Sequence, residues 1–248
     1  MTSVNALITS VIKNINSNAT LVILCQVPPG FTRTINWPIS QIYYQVETLI
    51  FGRAMDRALN PERFIIGSSD KTKDLPIKYL NYLESFSCPI LQMSFESAEL
   101  AKISINMFLV SSVTTSNMLA ELCEKIGANW FEIIPALKLD KRIGPFAYLN
   151  PGLGIAGGNL ERDLRTVIDF SKKHQTDAST VSSWINNSKH RKNWVWSLLN
   201  DVMLIKQNKI KPTFAILGLT YKENTHSIKN SASIELLEKL SDYTVKVY

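Results

Sequence analysis

Three cysteines and three histidines in 248 residues leave little material for metal or disulfide chemistry. Cys25, Cys88 and Cys123 are far apart, odd in number and without metal-ligand spacing, so neither a disulfide framework nor a zinc site is expected. His174, His190 and His226 are just as scattered and read as surface residues. No unbroken apolar run reaches the roughly 18–20 residues that cross a bilayer. The N-terminus, "MTSVNALITSVIKNINSNAT", has no early basic cluster, no continuous apolar region and no small-residue cleavage site. These absences point to a cytoplasmic protein without membrane attachment. Also missing is any G-x-G-x-x-G after a strand, the turn that holds a pyrophosphate in dinucleotide-binding folds.

What is present is ordinary for a soluble globular protein: 45% hydrophobic and 19% charged residues, enough chain for one large domain or two modest ones. The net charge of +6 suits an anionic small molecule such as a nucleotide. It would also suit nucleic acid. However, the densest basic patch, "KHRKNW" (189–194), is short and interrupts an amphipathic pattern, as a solvated helix face or turn does. No nucleic-acid partner is expected.

Hydrophobic spacing predicts an amphipathic helix over 3–16. "TLVILCQV", closed by Pro28-Pro29-Gly30, reads as a buried parallel strand ending in a tight turn. "QIYYQVE", "RFIIG" and "PILQM" read as further strands, with a helix over 75–86. Alternating helices and buried strands indicate an α/β sheet with crossover connections. From Phe95 to Gly127 the spacing predicts one long helix. "NWFEIIPALKLD", 160–173 and 178–207 add further helices, so the middle of the chain is all-helical. Its long helix has a broad apolar face of the kind that packs against a second copy. Near 210 the α/β character returns: strand "TFAILGL", helix "SASIELLEKL", strand "YTVKVY". The stretch "PGLGIAGGNLERD" (151–163) packs four glycines into seven residues just before a helix, which lets backbone pass close to something.

Several segments, in order, resemble the UDP-glucose/GDP-mannose dehydrogenase family of NAD-dependent nucleotide-sugar dehydrogenases. "VILCQVPPGFTR" is similar to the strand and Val-Pro-x-Gly turn late in the family's NAD domain. "VETLIFGRAMDRALNPERFIIG" is similar to its Pro-Glu-Phe-Leu-x-Glu-Gly segment. "ESAELAKISINMFL" resembles the start of its central helix, "LDKRIGPFAYLNPGLGIAGGNLERD" its substrate loop, and "AILGLTYKENTHSIKNSASIELLEKL" the opening of its C-terminal nucleotide-binding domain. The resemblance implies part of an NAD-binding Rossmann-like domain over 1–93, a helical dimerisation and substrate domain over 94–209, and the beginning of a UDP-binding Rossmann-like domain from 210 to 248. It implies a homodimer through the long helix, a UDP- or GDP-sugar substrate and NAD as cofactor, with no metal. On this alignment the first domain would lack its opening βαβ unit and the last most of its sheet, so the chain is expected not to turn over NAD unaided.

The family oxidises a sugar C6 alcohol in two steps, holding the aldehyde between them as a thiohemiacetal on a cysteine. The resemblance implies catalytic roles for Lys102 and Asn106, which fall on one helical face at i, i+4, and for Asp163 and Glu47. It implies sugar contacts from Arg142, Phe146, Gly154, Gly157, Gly158 and Asn159. It places Gln26, Pro28, Arg162 and Lys229 on the cofactor side. The helix beginning near Asn159 would aim backbone N–H groups at a ligand. Several positions depart from the pattern. The cysteine is absent, its nearest positions being Asn159 and Leu160, and neither can form a thiohemiacetal. The second glutamate of the Glu-x-x-x-Glu pair is Phe51. The threonine of the Thr-Val-Pro turn is Gln26. The Asp-Asp-x-Arg segment becomes His226, Ser227 and Lys229, and a lysine loses the arginine's bidentate geometry. Two readings stay open: a dehydrogenase limited to alcohol–carbonyl hydride transfer, and a non-catalytic relative that binds a nucleotide sugar or a partner subunit.

Overall fold

A computed structural model describes residues 2–49, 52–202 and 212–248. The chain divides into two compact units, Met1–Ser104 and Ile105–Tyr248. The division falls inside the long helix, some ten residues beyond the boundary expected at 93/94. Most of the long helix, the helices after it and the last two strands form the second unit.

The first unit opens with helix α1, Thr2–Ile12, shorter than the 3–16 expected. Four strands follow, β1 (Leu21–Ile23), β2 (Ile42–Gln45), β3 (Phe64–Ser68) and β4 (Ile90–Ser94), lying side by side in that order. The α/β reading holds, but not every pairing is parallel. β1 runs parallel to β2 and β3 to β4, while β2 and β3 are antiparallel. The link from β1 to β2 carries no α-helix, only a 3-10 turn at Thr32–Thr34. The link from β2 to β3 carries α2 (Ala54–Leu59), which the sequence reading missed. None of its residues is buried, and at six residues it is shorter than the window over which helical periodicity is read. Only α3 (Ile77–Glu84) forms the expected crossover, joining β3 to β4. All five residues of β3 are buried, as its unbroken apolar run requires. Their core is Tyr43, Phe64, Ile66, Leu75, Tyr79 and Leu83.

Helix α4, Phe95–Ile126, is 32 residues and about 48 Å long at 1.5 Å per residue. By length and composition it is apolar enough to span a bilayer, with a window of mean hydropathy 1.2, although no unbroken apolar run marks it. Three of its polar residues face protein: Thr114, Ser116 and Asn117 are buried, and Ser116 Oγ donates to the Tyr148 carbonyl at 3.1 Å. A third of the apolar window is buried.

In the second unit α5 (Trp130–Leu139) packs on α4 through Ala120, Cys123, Trp130 and Ile134. Helices α6 (Asn159–His174), α7 (Ser179–Lys192) and α8 (Trp194–Val202) follow. The helical stretch expected over 178–207 breaks at Asn193, whose N–H bonds the His190 carbonyl in a tightened last turn. Residues 203–207 lie outside the described residues. Strands β5 (Thr213–Ile216) and β6 (Thr244–Val247) are parallel, with α9 (Ala232–Lys239) between them in sequence, the expected strand–helix–strand unit.

Candidate functional site

The glycine loop is the best-defined feature of the second unit. Three elements hold its backbone. From α4, Asn117 Oδ1 accepts from the Gly152 N–H at 2.7 Å. From α7, Arg191 Nε donates to the Gly152 carbonyl at 2.9 Å and Ser188 Oγ accepts from the Ile155 N–H at 2.7 Å. From the segment after β5, the Lys229 carbonyl accepts from the Gly157 N–H at 3.0 Å, and Asn230 Nδ2 donates to the Gly157 carbonyl at 2.9 Å. The glycines are needed for conformation and for space. Gly154 and Gly157 have φ of +85° and +79°, where a side chain is strained. A Cβ on Gly154 would meet the Ser188 backbone, one on Gly157 the Tyr221 ring, and one on Gly158 the Lys229 side chain. Within the described residues, what approaches the loop closely is therefore the chain's own α7 and the segment 221–230. Behind the loop lies a cavity of about 410 Å³ lined by Ile155, Leu164, Ile185, Ser188, Lys192 and Asn230.

Helix α6 starts at the end of this loop. Asn159 is exposed, while Leu160 packs against a core cluster of Val110, Ile155, Leu164 and Val181. Neither position offers a nucleophile. One turn on, Asp163 is almost fully buried. Its Oδ2 accepts from Asn106 Nδ2 at 2.5 Å, and its Oδ1 from Arg162 Nε at 3.3 Å. The structure thus joins half-buried Asn106 and exposed Arg162 to buried Asp163 in one hydrogen-bond group. Lys102, at the end of the first unit, is half-buried and stands one helical turn before Asn106 on α4, on the same face. Lys229 lies against Gly158, and so beside the start of α6. Arg142 and Phe146 are on the surface: Arg142 is bonded to Asp140 at 2.6 Å, and Phe146 is 92% exposed.

In the first unit, Gln26 and Pro28 are half-buried just beyond β1. The turn that follows is fixed from α4 by Glu99, which is fully buried and accepts from the Gly30 N–H at 2.5 Å and the Thr32 N–H at 2.7 Å. Arg33 and Glu96 pair beside it at 2.6 Å. Glu47 is half-buried, its Oε1 accepting from the Leu49 N–H at 2.5 Å. Phe51 lies outside the described residues.

Burial raises the Glu99 carboxyl above its ordinary value, outweighing the Thr32 and Gly30 hydrogen bonds that act the other way. The folded chain therefore holds this proton to higher pH than the unfolded chain. The stability it contributes is complete below the ordinary carboxylate value, about pH 4, and is lost as pH rises through the folded value. Glu99→Gln does not titrate. Denaturant unfolding of wild type and variant between about pH 4 and 7 is expected to show the wild type's advantage shrinking as pH rises. An advantage that grew with pH would mean that the N–H bonds outweigh burial.

Sequence reasoning missed Glu99, Asn117, Ser188, Arg191 and Asn230. Each acts on backbone far away in sequence, and a lone polar residue in a helix or turn gives no periodic signal of that. One reading needs correction: "KHRKNW" is not wholly a solvated face. Arg191 is 5% exposed, with its guanidinium 4.7 Å from the Trp194 ring centroid and 3.8 Å from Glu121.

Residues 96–189 match the model of the UDP-glucose/GDP-mannose dehydrogenase family, central domain. This match covers the long helix and the glycine loop on which the sequence resemblance rested. Over 238 residues it is 30% identical to the UDP-glucose 6-dehydrogenase of Rickettsia bellii, covering 92% of this chain and 54% of that one. It is also 28% identical to the UDP-glucose 6-dehydrogenase of Campylobacter jejuni over 239 residues, 95% of this chain and 58% of the relative. The chain thus spans little more than half the length of the curated relatives it matches. Among solved structures, the fold matches a UDP-glucose dehydrogenase from Pyrobaculum islandicum with TM-score 0.78 at 24% identity, over 92% of this chain and 53% of that one. It matches a UDP-D-ManNAc dehydrogenase from Pyrococcus horikoshii with TM-score 0.81 at 22% identity, over 99% and 60%.

Proposed function

We propose that this chain belongs to a cytoplasmic, homodimeric, NAD-dependent nucleotide-sugar dehydrogenase that performs a single alcohol-to-carbonyl oxidation on a UDP- or GDP-sugar. Its parts would be a cofactor-side region over 1–93, a substrate and dimerisation region over 94–209, and a nucleotide-side region from 210. The observation that carries the reading is the pairing of a kept oxygen-binding group with a lost thiol: Asn106 is locked to buried Asp163, while the family's cysteine gives way to Asn159 and Leu160.

NAD, when bound, supplies the hydride acceptor. The residues here fit its nicotinamide end. Gln26 and Pro28 follow a strand paired in parallel, the end of an α/β strand at which ligands gather, and Glu99 fixes the turn beyond them. The sequence has no glycine turn to fit the pyrophosphate. Arg162 and Lys229 add positive charge on the cofactor side.

The chemistry proposed for the chain's own residues is simple. The Lys102 ammonium and the second N–H of Asn106 polarise the sugar oxygen and stabilise the negative charge that develops on it. Asp163, by accepting the first N–H, fixes the amide's orientation. As the carbinol C–H bond breaks to release hydride, the O–H proton passes to a carboxylate, Glu47 or Asp163, and a C=O bond forms. Gly154, Gly157, Gly158, Asn159, Arg142 and Phe146 contribute the sugar side. The apolar surface of α4 and α5, with Phe108, Ile126 and Phe131 each more than 60% exposed, supports a second copy as partner. Without a thiol the carbonyl product leaves rather than being held for a second oxidation.

The test uses the protein at the full length its gene encodes, with NAD and a panel of UDP- and GDP-sugars, reading NADH absorbance and product mass. One NADH per sugar and a product two mass units lighter is the expected result. Two NADH and a sugar acid would overturn the single-oxidation reading. Binding without turnover would favour the non-catalytic relative.

A further inference from the structure

We infer that Asn230 is a positioning residue that locks the Gly157–Gly158 peptide, and with it the start of α6, to the segment after β5. The inference rests on the proposed substrate reading only for its effect on ligand binding. Its structural half stands alone.

The argument begins with the backbone. Asn230 has φ +55°, a left-handed conformation that asparagine tolerates better than most residues. That conformation turns its side chain back onto the glycine loop. Nδ2 then donates twice, to the Gly157 carbonyl at 2.9 Å and to the Glu161 carboxylate in the first turn of α6. The preceding residue completes the hold, because the Lys229 carbonyl accepts from the Gly157 N–H at 3.0 Å. Both polar groups of Gly157 are thus taken by residues 229 and 230. Tyr221, at the other end of the same segment, closes on Gly157 so tightly that a Cβ there would lie 3.0 Å from the ring. A hydrogen bond from the Tyr221 N–H to the Ser227 carbonyl, 3.0 Å, folds the segment back on itself.

The consequence lies two turns of chain away. Gly158 precedes α6, and α6 carries Arg162 and Asp163, the latter bonded to Asn106. A shift of the Gly157 peptide moves the first turn of α6 and loosens that group. The oxygen-binding geometry therefore depends on a side chain that lies more than 60 residues further along the sequence and that the sugar need not touch.

The test is Asn230→Gly, because glycine keeps the left-handed backbone and removes only the side-chain donors. Lys239→Ala, which breaks the α9 contact to Asn193, is the control, since it disturbs the same region without touching the loop. Hydrogen exchange of the Gly157 amide in this chain is read first. A tenfold or greater acceleration in Asn230→Gly, with little change in the control, is expected. Unchanged exchange overturns the inference whatever the protein binds. UDP-glucose affinity is read second by calorimetry, and a loss of about tenfold is expected, corresponding to about 1.4 kcal/mol. Accelerated exchange with unchanged affinity would overturn the role in binding. If the wild-type chain takes up no UDP-glucose, the substrate reading fails instead, and the exchange result still decides whether Asn230 holds the loop.

Discussion

Gly154→Ala is expected to lower the melting temperature of the second unit by about 10 °C, whereas Gly152→Ala, two residues away, shifts it by no more than about 2 °C. The difference comes from geometry alone. At Gly154 the backbone has φ +85°, and a methyl group would sit 2.6 Å from the Ser188 carbonyl oxygen, 2.9 Å from Ser188 Oγ and 3.2 Å from Lys192 Cγ. The first of these neighbours is backbone in the middle of α7 and cannot step aside without bending the helix. The second is the acceptor of the Ile155 N–H, so pushing it away also breaks the next anchor of the loop. Left-handed strain costs about 1–3 kcal/mol and overpacking about as much again, giving a total of about 3–5 kcal/mol. Gly152 has open space at its Cβ position, and its two hydrogen bonds, to Asn117 and Arg191, use only backbone atoms that alanine keeps. Thermal unfolding followed by circular dichroism separates the cases. Equal melting temperatures for the two variants would mean that the loop does not lie against α7 as described.

The loop also shows where sequence reasoning reached its limit. Four glycines in seven residues announced a close approach, and the resemblance supplied a sugar as the object approached. The structure supplies nearer ones: α7 for Gly154, Tyr221 for Gly157, and Lys229 for Gly158. Nothing in a glycine's own position says which remote segment will fill the space it leaves. Elements set by local periodicity were legible: β3 with its unbroken "FIIGS", α4 without a proline or glycine, and the strand–helix–strand unit after residue 212. Elements without a buried residue, such as α2, were not. Strand direction was also hidden. β1 and β2 are parallel although only a 3-10 turn lies between them, and β2 and β3 are antiparallel although α2 does, so no local motif announced either direction.

The candidate site divides the same way. Lys102 and Asn106 could be paired from their spacing, since four residues on a helix fix a shared face. The bond from Asn106 to Asp163 joins positions 57 residues apart, and only the fold brings them together. Residues that bond remote backbone, such as Glu99 on the Gly30 turn and Asn117 on Gly152, leave no chemical signature in the sequence. Their role is to hold other groups still, and a burial of almost nothing exposed, with every carboxylate or amide oxygen answered by an N–H, is how that role shows in structure.

Lys102→Met in the full-length protein is expected to reduce kcat about 10²–10³-fold with KM changed by less than about threefold, a loss of about 3–4 kcal/mol in the transition state. The neutral alcohol of the bound sugar gains little from an ammonium nearby, so ground-state binding survives its removal. The charge matters when the O–H proton departs ahead of the hydride and the oxygen turns alkoxide-like, which is the moment the substitution leaves it with a single amide donor. Methionine keeps the length and apolar stem of a half-buried lysine, so the effect is one of charge and not of a cavity. If kcat is unchanged, Lys102 does not face the reacting oxygen and the proposed polarisation must come from elsewhere. If KM rises while kcat is unchanged, the ammonium holds the substrate's phosphates, and Lys102 belongs to binding rather than to the chemical step.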